Sequence, residues 1–173
     1  MRLAEVVPRE LEWVQPSPWR MSYELRSGPE VVATLRFLRG FVSQALGQSA
    51  DGRWLFRRKS GADAEVVSCG ARGACAVAAF RADAWSGNGR VLMADGGSLR
   101  VARNVWQTRL DLLDPSEEIV ARYRSGGLVR CWGRFQVSPA LFDAPDLPWL
   151  AMLGWYLIVA ARRDITGSLA KAS

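Results

Sequence analysis

The chain contains no histidine. That removes the commonest general base, the commonest metal ligand and the usual partner of a nucleophilic serine or cysteine. Its three cysteines, Cys69, Cys75 and Cys131, are odd in number and lack CxxC spacing. They encode neither a disulfide framework nor a zinc site. Cys69 and Cys75 could meet across a turn, but the expected role is that of small buried thiols. Gly87-Asn88-Gly89 and Gly126-Gly127 are not followed by a helix, so neither resembles a phosphate-binding loop. Acidic residues are scattered, with no metal-like run. The sequence therefore points away from an enzyme, and no cofactor or metal is expected. Met1 to Pro8 holds no apolar run long enough for a signal peptide. With the cysteine usage, this points to a cytoplasmic protein, free or peripheral at a membrane.

What is present is arginine. The net charge is +6, and Lys59 and Lys171 are the only lysines. A basic surface favours anionic partners such as lipid head groups or nucleic acid. The 173 residues, 49% apolar and 23% charged, suit one globular domain with a proper core.

From Leu11 to about residue 142 the chain reads as strand, turn, strand, with no long amphipathic helix. Met21 to Arg26 alternates apolar and polar, the period of a half-buried strand. Val31, Ala33, Leu35 and Phe37 are expected on one face of the next. Phe41 to Leu46, Arg53 to Lys59, Ala64 to Cys69 and Ala76 to Arg81 follow, then Arg90 to Ala94, Ser98 to Arg103, Trp106 to Leu113 and Glu118 to Arg124. Turn signals such as Ala50-Asp51-Gly52, Asp95-Gly96-Gly97 and Asp114-Pro115-Ser116 separate them. A long strand, Leu128 to Val137, places Val129, Cys131, Gly133, Phe135 and Val137 on one face. Arg130, Trp132, Arg134 and Gln136 fall on the other. About twelve strands at this spacing predict a mainly β sandwich or barrel.

The end of the chain differs. Leu147 to Ala161 carries no charge, Asp146 can cap it, Pro148 suits a first turn, and Arg162-Arg163 closes it. This predicts a helix over about 146–163, apolar on all sides, with Leu150, Leu153, Trp155, Leu157 and Ile158 as core. Fifteen residues make roughly 22 Å, against about 30 Å for a bilayer core. The segment is short for a membrane span, and Gly154-Trp155-Tyr156 suits close contact with protein. The predicted fold is a closed or nearly closed antiparallel barrel of about twelve strands around this helix. Residues 1–10 are expected as a loose arm, 11–165 as the single domain, and 166–173 as a flexible tail. A tail anchor over 147–161 is the competing reading.

This layout resembles the tubby-like superfamily: the tubby C-terminal domain, the phospholipid scramblases and the LURP-one-related proteins. The last two are nearest. The residues carrying the resemblance are the hairpin Leu112 to Ala121, with Asp114-Pro115-Ser116 at its turn, and the terminal helix. It covers about residues 10–165. The resemblance implies a binding or scaffold role rather than catalysis, with a lipid or protein partner ahead of nucleic acid. Tubby's phosphoinositide pocket and the scramblase calcium-binding segment have no counterpart here, and no site is transferred from them.

From the residues themselves, a candidate lipid-binding set is Arg57, Arg58, Lys59, Arg130 and Arg134 with Trp54 and Trp132. Aromatic rings beside cations suit head-group depth at an anionic phospholipid or phosphoinositide surface. Arg36, Arg122 and Arg124 extend it as a basic stripe. The alternative is a subunit of a larger assembly, anchored by Trp85, Trp132 or another exposed aromatic.

Overall fold

Alternating apolar residues between turn-forming clusters give twelve strands. They are β1 (Leu11–Val14), β2 (Ser22–Ser27), β3 (Glu30–Phe37), β4 (Gln44–Ser49), β5 (Gly52–Arg58), β6 (Ala64–Gly70), β7 (Gly73–Ala82), β8 (Gly89–Met93), β9 (Ser98–Arg103), β10 (Arg109–Leu113), β11 (Ile119–Gly126) and β12 (Trp132–Val137). A four-residue helix, α1 (Leu3–Val6), precedes them, and the long helix α2 (Leu147–Lys171) follows. The computed structural model describes every residue except 1, 8–9, 39–42, 71–72, 85, 128–129 and 172–173, and the side chains up to 165.

Each strand pairs antiparallel with its sequence neighbours. The barrel closes where β1 meets β12, with Leu11 opposite Phe135 and Trp13 opposite Gly133. Closure leaves no free sheet edge, and it gives every inward side chain an apolar lumen to fill. α2 fills that lumen. Leu147 and Trp149 to Ala160 are all buried, among them Leu150, Leu153, Trp155, Leu157 and Ile158. No helix of the described residues is long and apolar enough to cross a membrane.

Aromatic contacts seat the helix. Trp155 stacks on Trp13 at 5.5 Å with the rings 2° from parallel. Tyr156 lies between Phe37 and Phe56, at 5.6 and 5.7 Å. The Tyr123 hydroxyl donates to the Leu150 carbonyl at 2.7 Å. Two glycines allow the approach. A Cβ on Gly154 would fall into the Tyr123 ring, and one on Gly133 into the Trp155 ring. Asp146 precedes the helix, and its carboxylate accepts the Trp149 indole N–H at 2.8 Å.

Several expectations change. Residues 2–7 are not a loose arm: Leu3 and Val6 are fully buried, and the Leu3 N–H donates to Asp51 at 3.1 Å. Four residues give no readable period, so the sequence hid this plug. α2 runs on to Lys171, so 166–171 continue the helix. The β2–β3 register shifts after Leu25. That slip turns Val32 inward beside Ala33, Leu35 and Phe37 and leaves Val31 outside. β4 begins at Gln44, β10 at Arg109 and β12 at Trp132, later than expected. Val129 lies outside the described residues. Cys69 and Cys75 are exposed rather than buried, and Cys131 is half-buried.

Because neighbours are antiparallel, turns after odd-numbered strands gather at one end of the barrel and turns after even-numbered strands at the other. α2 enters where β12 ends and emerges among the odd-strand turns. There Arg162 donates to the carbonyls of Gly126 and Gly127, both at 3.2 Å. These ends are the entry mouth and the exit mouth.

Candidate binding surface at the exit mouth

The predicted lipid-binding residues do not form one patch. Trp54 is 7% exposed and belongs to the core. Adjacent residues on a strand point to opposite faces, so Arg57 and Arg58 diverge. Arg57 lies on the outer wall against Glu65 at 2.7 Å, and Lys59 reaches the same carboxylate at 3.3 Å. These bonds hold Glu65 below the usual carboxylate range, Arg57 contributing most. Arg58 turns to the mouth and makes a two-pronged pair with Asp164 of α2, at 2.9 and 2.8 Å. Arg134 sits on the wall at β12, 3.3 Å from Glu10 and 3.8 Å from Glu12. β1 to β4 separate it from β5.

The wider basic stripe exists only in part. Arg109, Arg124 and Arg134 lie directly opposite one another across β10, β11 and β12. Arg122, one rung away, is bound to Asp111 at 2.8 Å, which also takes Arg109 at 3.4 Å. Arg36 is on the far wall, outward on β3. Carboxylates thus answer most of the wall cations.

The exit mouth is different. Every exposed tryptophan among the described residues is there: Trp19 at 92%, Trp106 at 82% and Trp132 at 51%. Val105, 91% exposed, and Ile165 stand with them. Trp85, an expected anchor, lies outside the described residues. Arg20, Lys59 and Arg130 are exposed on the same turns. Entry-mouth turns carry Glu30, Asp51, Asp95, Asp114 and Glu118 instead. Some of those are turn formers: Asp114 accepts the N–H groups of Ser116 and Glu118, and Asp95 that of Gly97. Among the described residues, the entry-mouth turns are acidic, while the exit mouth is aromatic and carries Arg20, Lys59 and Arg130 alongside Asp63 and Asp83.

The mouth turns are built rather than slack. Asn104 accepts the N–H groups of Thr108 and Arg109 at 2.9 and 2.8 Å and donates to the Thr108 hydroxyl at 2.9 Å. Gln107 takes a left-handed backbone, φ 55°, and donates back to the Asn104 carbonyl. This closed turn pushes Val105 and Trp106 into solvent. Left-handed non-glycine residues cost energy and cluster at functional sites. Gln15, buried, accepts the Cys131 N–H at 3.1 Å and donates to the Arg20 carbonyl at 3.0 Å. It ties the turn bearing Trp19 to the one bearing Arg130.

Beneath the rim lies a second layer of cations. Arg162 reaches Ser125 Oγ at 3.1 Å and Cys131 Sγ at 3.2 Å, and Arg163 stacks over Phe37 at 5.6 Å. Burial raises the Cys131 thiol, and the Arg162 charge opposes that rise. Tyr156 donates to the Ser43 carbonyl at 2.7 Å, and burial pushes its hydroxyl up to about 12. Sequence reasoning missed Trp19, Val105 and Trp106 as surface groups. The signal was available: each falls in a turn after an odd-numbered strand, and antiparallel alternation sends those turns to one end.

No protein-family model and no curated protein matches the sequence. Among solved structures, the fold is similar to that of a protein from Arabidopsis thaliana determined by X-ray crystallography, one of LURP-one/tubby-like type. The TM-score is 0.53 at 10% identity, over 87% of this chain and 95% of that one. At that identity the likeness speaks for the barrel.

Proposed function

We propose that the protein is a non-enzymatic binding module whose exit mouth docks on an anionic phospholipid surface. One observation carries this reading: the exposed tryptophans share one end of the barrel with Arg20, Lys59 and Arg130. Indole rings settle at head-group depth, and cations beside them meet phosphates. The outer wall supports it less, because its arginines are answered by carboxylates. The architecture and the structural neighbour support placing the chain in the tubby-like superfamily, on the side of the LURP-one-related proteins.

The test is flotation of the whole protein with neutral vesicles, phosphatidylserine vesicles, and phosphatidylserine vesicles with phosphoinositide. A surface cation is worth about 1 kcal/mol at an anionic membrane. Neutralising Arg20, Lys59 and Arg130 together, each to Gln, should therefore weaken binding by about a hundredfold. Arg57→Glu and Arg134→Glu, on the wall, should cost little by comparison. Equal flotation on neutral and anionic vesicles, or an undiminished triple variant, ends this reading. The exposed tryptophans equally suit a protein anchor. If vesicles are ignored while the native protein elutes in a complex that Trp106→Ala disperses, the assembly reading takes its place.

A further inference from the structure

Arg103 is the last residue of β9, and its side chain turns under the exit mouth. Nη1 donates to the Gln107 amide oxygen at 3.2 Å and Nη2 to the Leu157 carbonyl at 3.4 Å. Nε is sealed from solvent, and among the described residues it has no acceptor. A guanidinium carries five N–H donors, and only neutral oxygens answer this one. No carboxylate lies within ion-pair distance of it among the described residues. The acid whose charge acts on it, Asp164, is engaged by both prongs of Arg58. Burial pushes the Arg103 guanidinium down to about 10, so it stays cationic at neutral pH. A desolvated cation without a counter-charge is costly.

Arg103 lines a cleft of about 210 Å³ between α2 and the turns after β5, β7 and β9. Phe80, Leu157, Ala160 and Ile165 make an apolar wall, the mutually paired Arg58 and Asp164 line the cleft with Gln107 and Tyr156, and Ala62 stands at the rim. We propose that this cleft binds a small monoanion, a carboxylate with a short hydrocarbon tail, its head on Arg103 and its tail along α2. With Arg58 and Asp164 paired to each other, Arg103 leaves the cleft one net positive charge, which calls for one negative charge. The planar fork of arginine matches a carboxylate. A cleft of this size suits a short hydrocarbon chain rather than a bulky ring system. A phosphate dianion fits worse, because its second negative charge exceeds the one net positive charge of the cleft and falls near Asp164. This site does not depend on membrane docking, and its test needs no vesicles.

Hexanoate, acetate, 1-hexanol and inorganic phosphate serve as probes, titrated into the full chain by calorimetry and saturation-transfer NMR. A charge-assisted pair should make hexanoate bind at least about tenfold more tightly than 1-hexanol, and the apolar walls should favour hexanoate over acetate by a similar factor. Arg103→Gln should lose that preference. Ala62→Trp, at an exposed turn position, should obstruct the cleft while leaving Arg103 and the fold in place. Either of two results overturns the proposal: hexanoate bound no better than 1-hexanol or phosphate, or hexanoate bound equally by Ala62→Trp. If Arg103→Gln does not fold, Arg103→Lys and Ala62→Trp decide, since both should weaken hexanoate.

Discussion

Replacing Gly154 with alanine separates two ways of seeing α2. As an isolated helix it would gain, because alanine is favoured over glycine by about 1 kcal/mol in a helix interior. Inside the barrel it should lose. A Cβ at this position comes within 3 Å of three carbons of the Tyr123 ring. That ring cannot withdraw cheaply. It is fully buried, lies 4.8 Å from the Phe135 ring, and donates to the Leu150 carbonyl at 2.7 Å. Overpacking costs about 1–3 kcal/mol, and a displaced hydroxyl left without an acceptor costs about 1–3 more. Set against the helix gain, the net is a loss of about 1–5 kcal/mol, centred near 3, or about 6–12 °C in Tm at that centre for a chain of this size. Thermal and urea unfolding followed by circular dichroism would measure it. Gly154→Ala combined with Tyr123→Leu should be less unstable than the two single losses added together, because the clashing ring is gone. A rise in Tm for Gly154→Ala would refute the close packing of α2 on β11.

Deleting the chain from Ala144 onward should give an insoluble barrel with an empty lumen, not a soluble domain released from an anchor; sedimentation after expression distinguishes them. At acid pH, Asp63 should limit stability. The Ala82 N–H and then the Arg81 guanidinium hold its carboxyl below the usual range. Its contribution is therefore full above the unfolded pKa, near 4, and fades as pH falls through the folded value. Asp63→Asn should lower stability at neutral pH and flatten the acid limb of a denaturation series, while an unchanged limb would discount the contact. Vesicles with brominated acyl chains should quench tryptophan emission in the wild type and leave a Trp19→Phe, Trp106→Phe, Trp132→Phe variant nearly unquenched. Quenching that survives in the triple variant would move the contact away from those three rings.

The architecture was legible because two periods change at one place. Period-two alternation with turn residues runs to about residue 142, and an uncharged stretch with an arginine stop follows. A dozen strands, each with one apolar face, can wrap a helix that is apolar all round by closing around it. The core residues of α2 followed from that. The site was less legible for a geometric reason. Arg57, Arg58 and Lys59 are adjacent in sequence, yet the pleat sends Arg57 to the wall and Arg58 to α2. Arg130 and Arg134 share a sequence face, but one ends in a mouth turn and the other on a wall beside Glu10 and Glu12. Charge pairing across strands depends on register, and bulges after Leu25, Val66 and Leu112 set that register. A single sequence does not announce them. Trp54 misled for the same reason, since alternation allowed either face.

The exit-mouth cations divide into those the fold requires and those it does not. Arg162 holds the carbonyls of Gly126 and Gly127 against α2, Arg58 clamps Asp164, and Arg163 covers Phe37. Each ties the emerging helix to a strand or turn, so a purely structural account explains it. That account leaves three things over. Arg20, Lys59 and Arg130 are exposed and, among the described residues, their side chains close no gap between elements, apart from the link from Lys59 to Glu65. Trp19, Val105 and Trp106 expose large apolar groups that stability alone would hide. Arg103 keeps a buried charge that neutral oxygens only partly answer. The first two form the outer rim and the third lies beneath it, on the same end of the barrel. Wall substitutions should therefore change stability with little effect on binding, and rim substitutions should do the reverse. A rim variant that unfolded the barrel while vesicle affinity per folded molecule stayed constant would collapse that division.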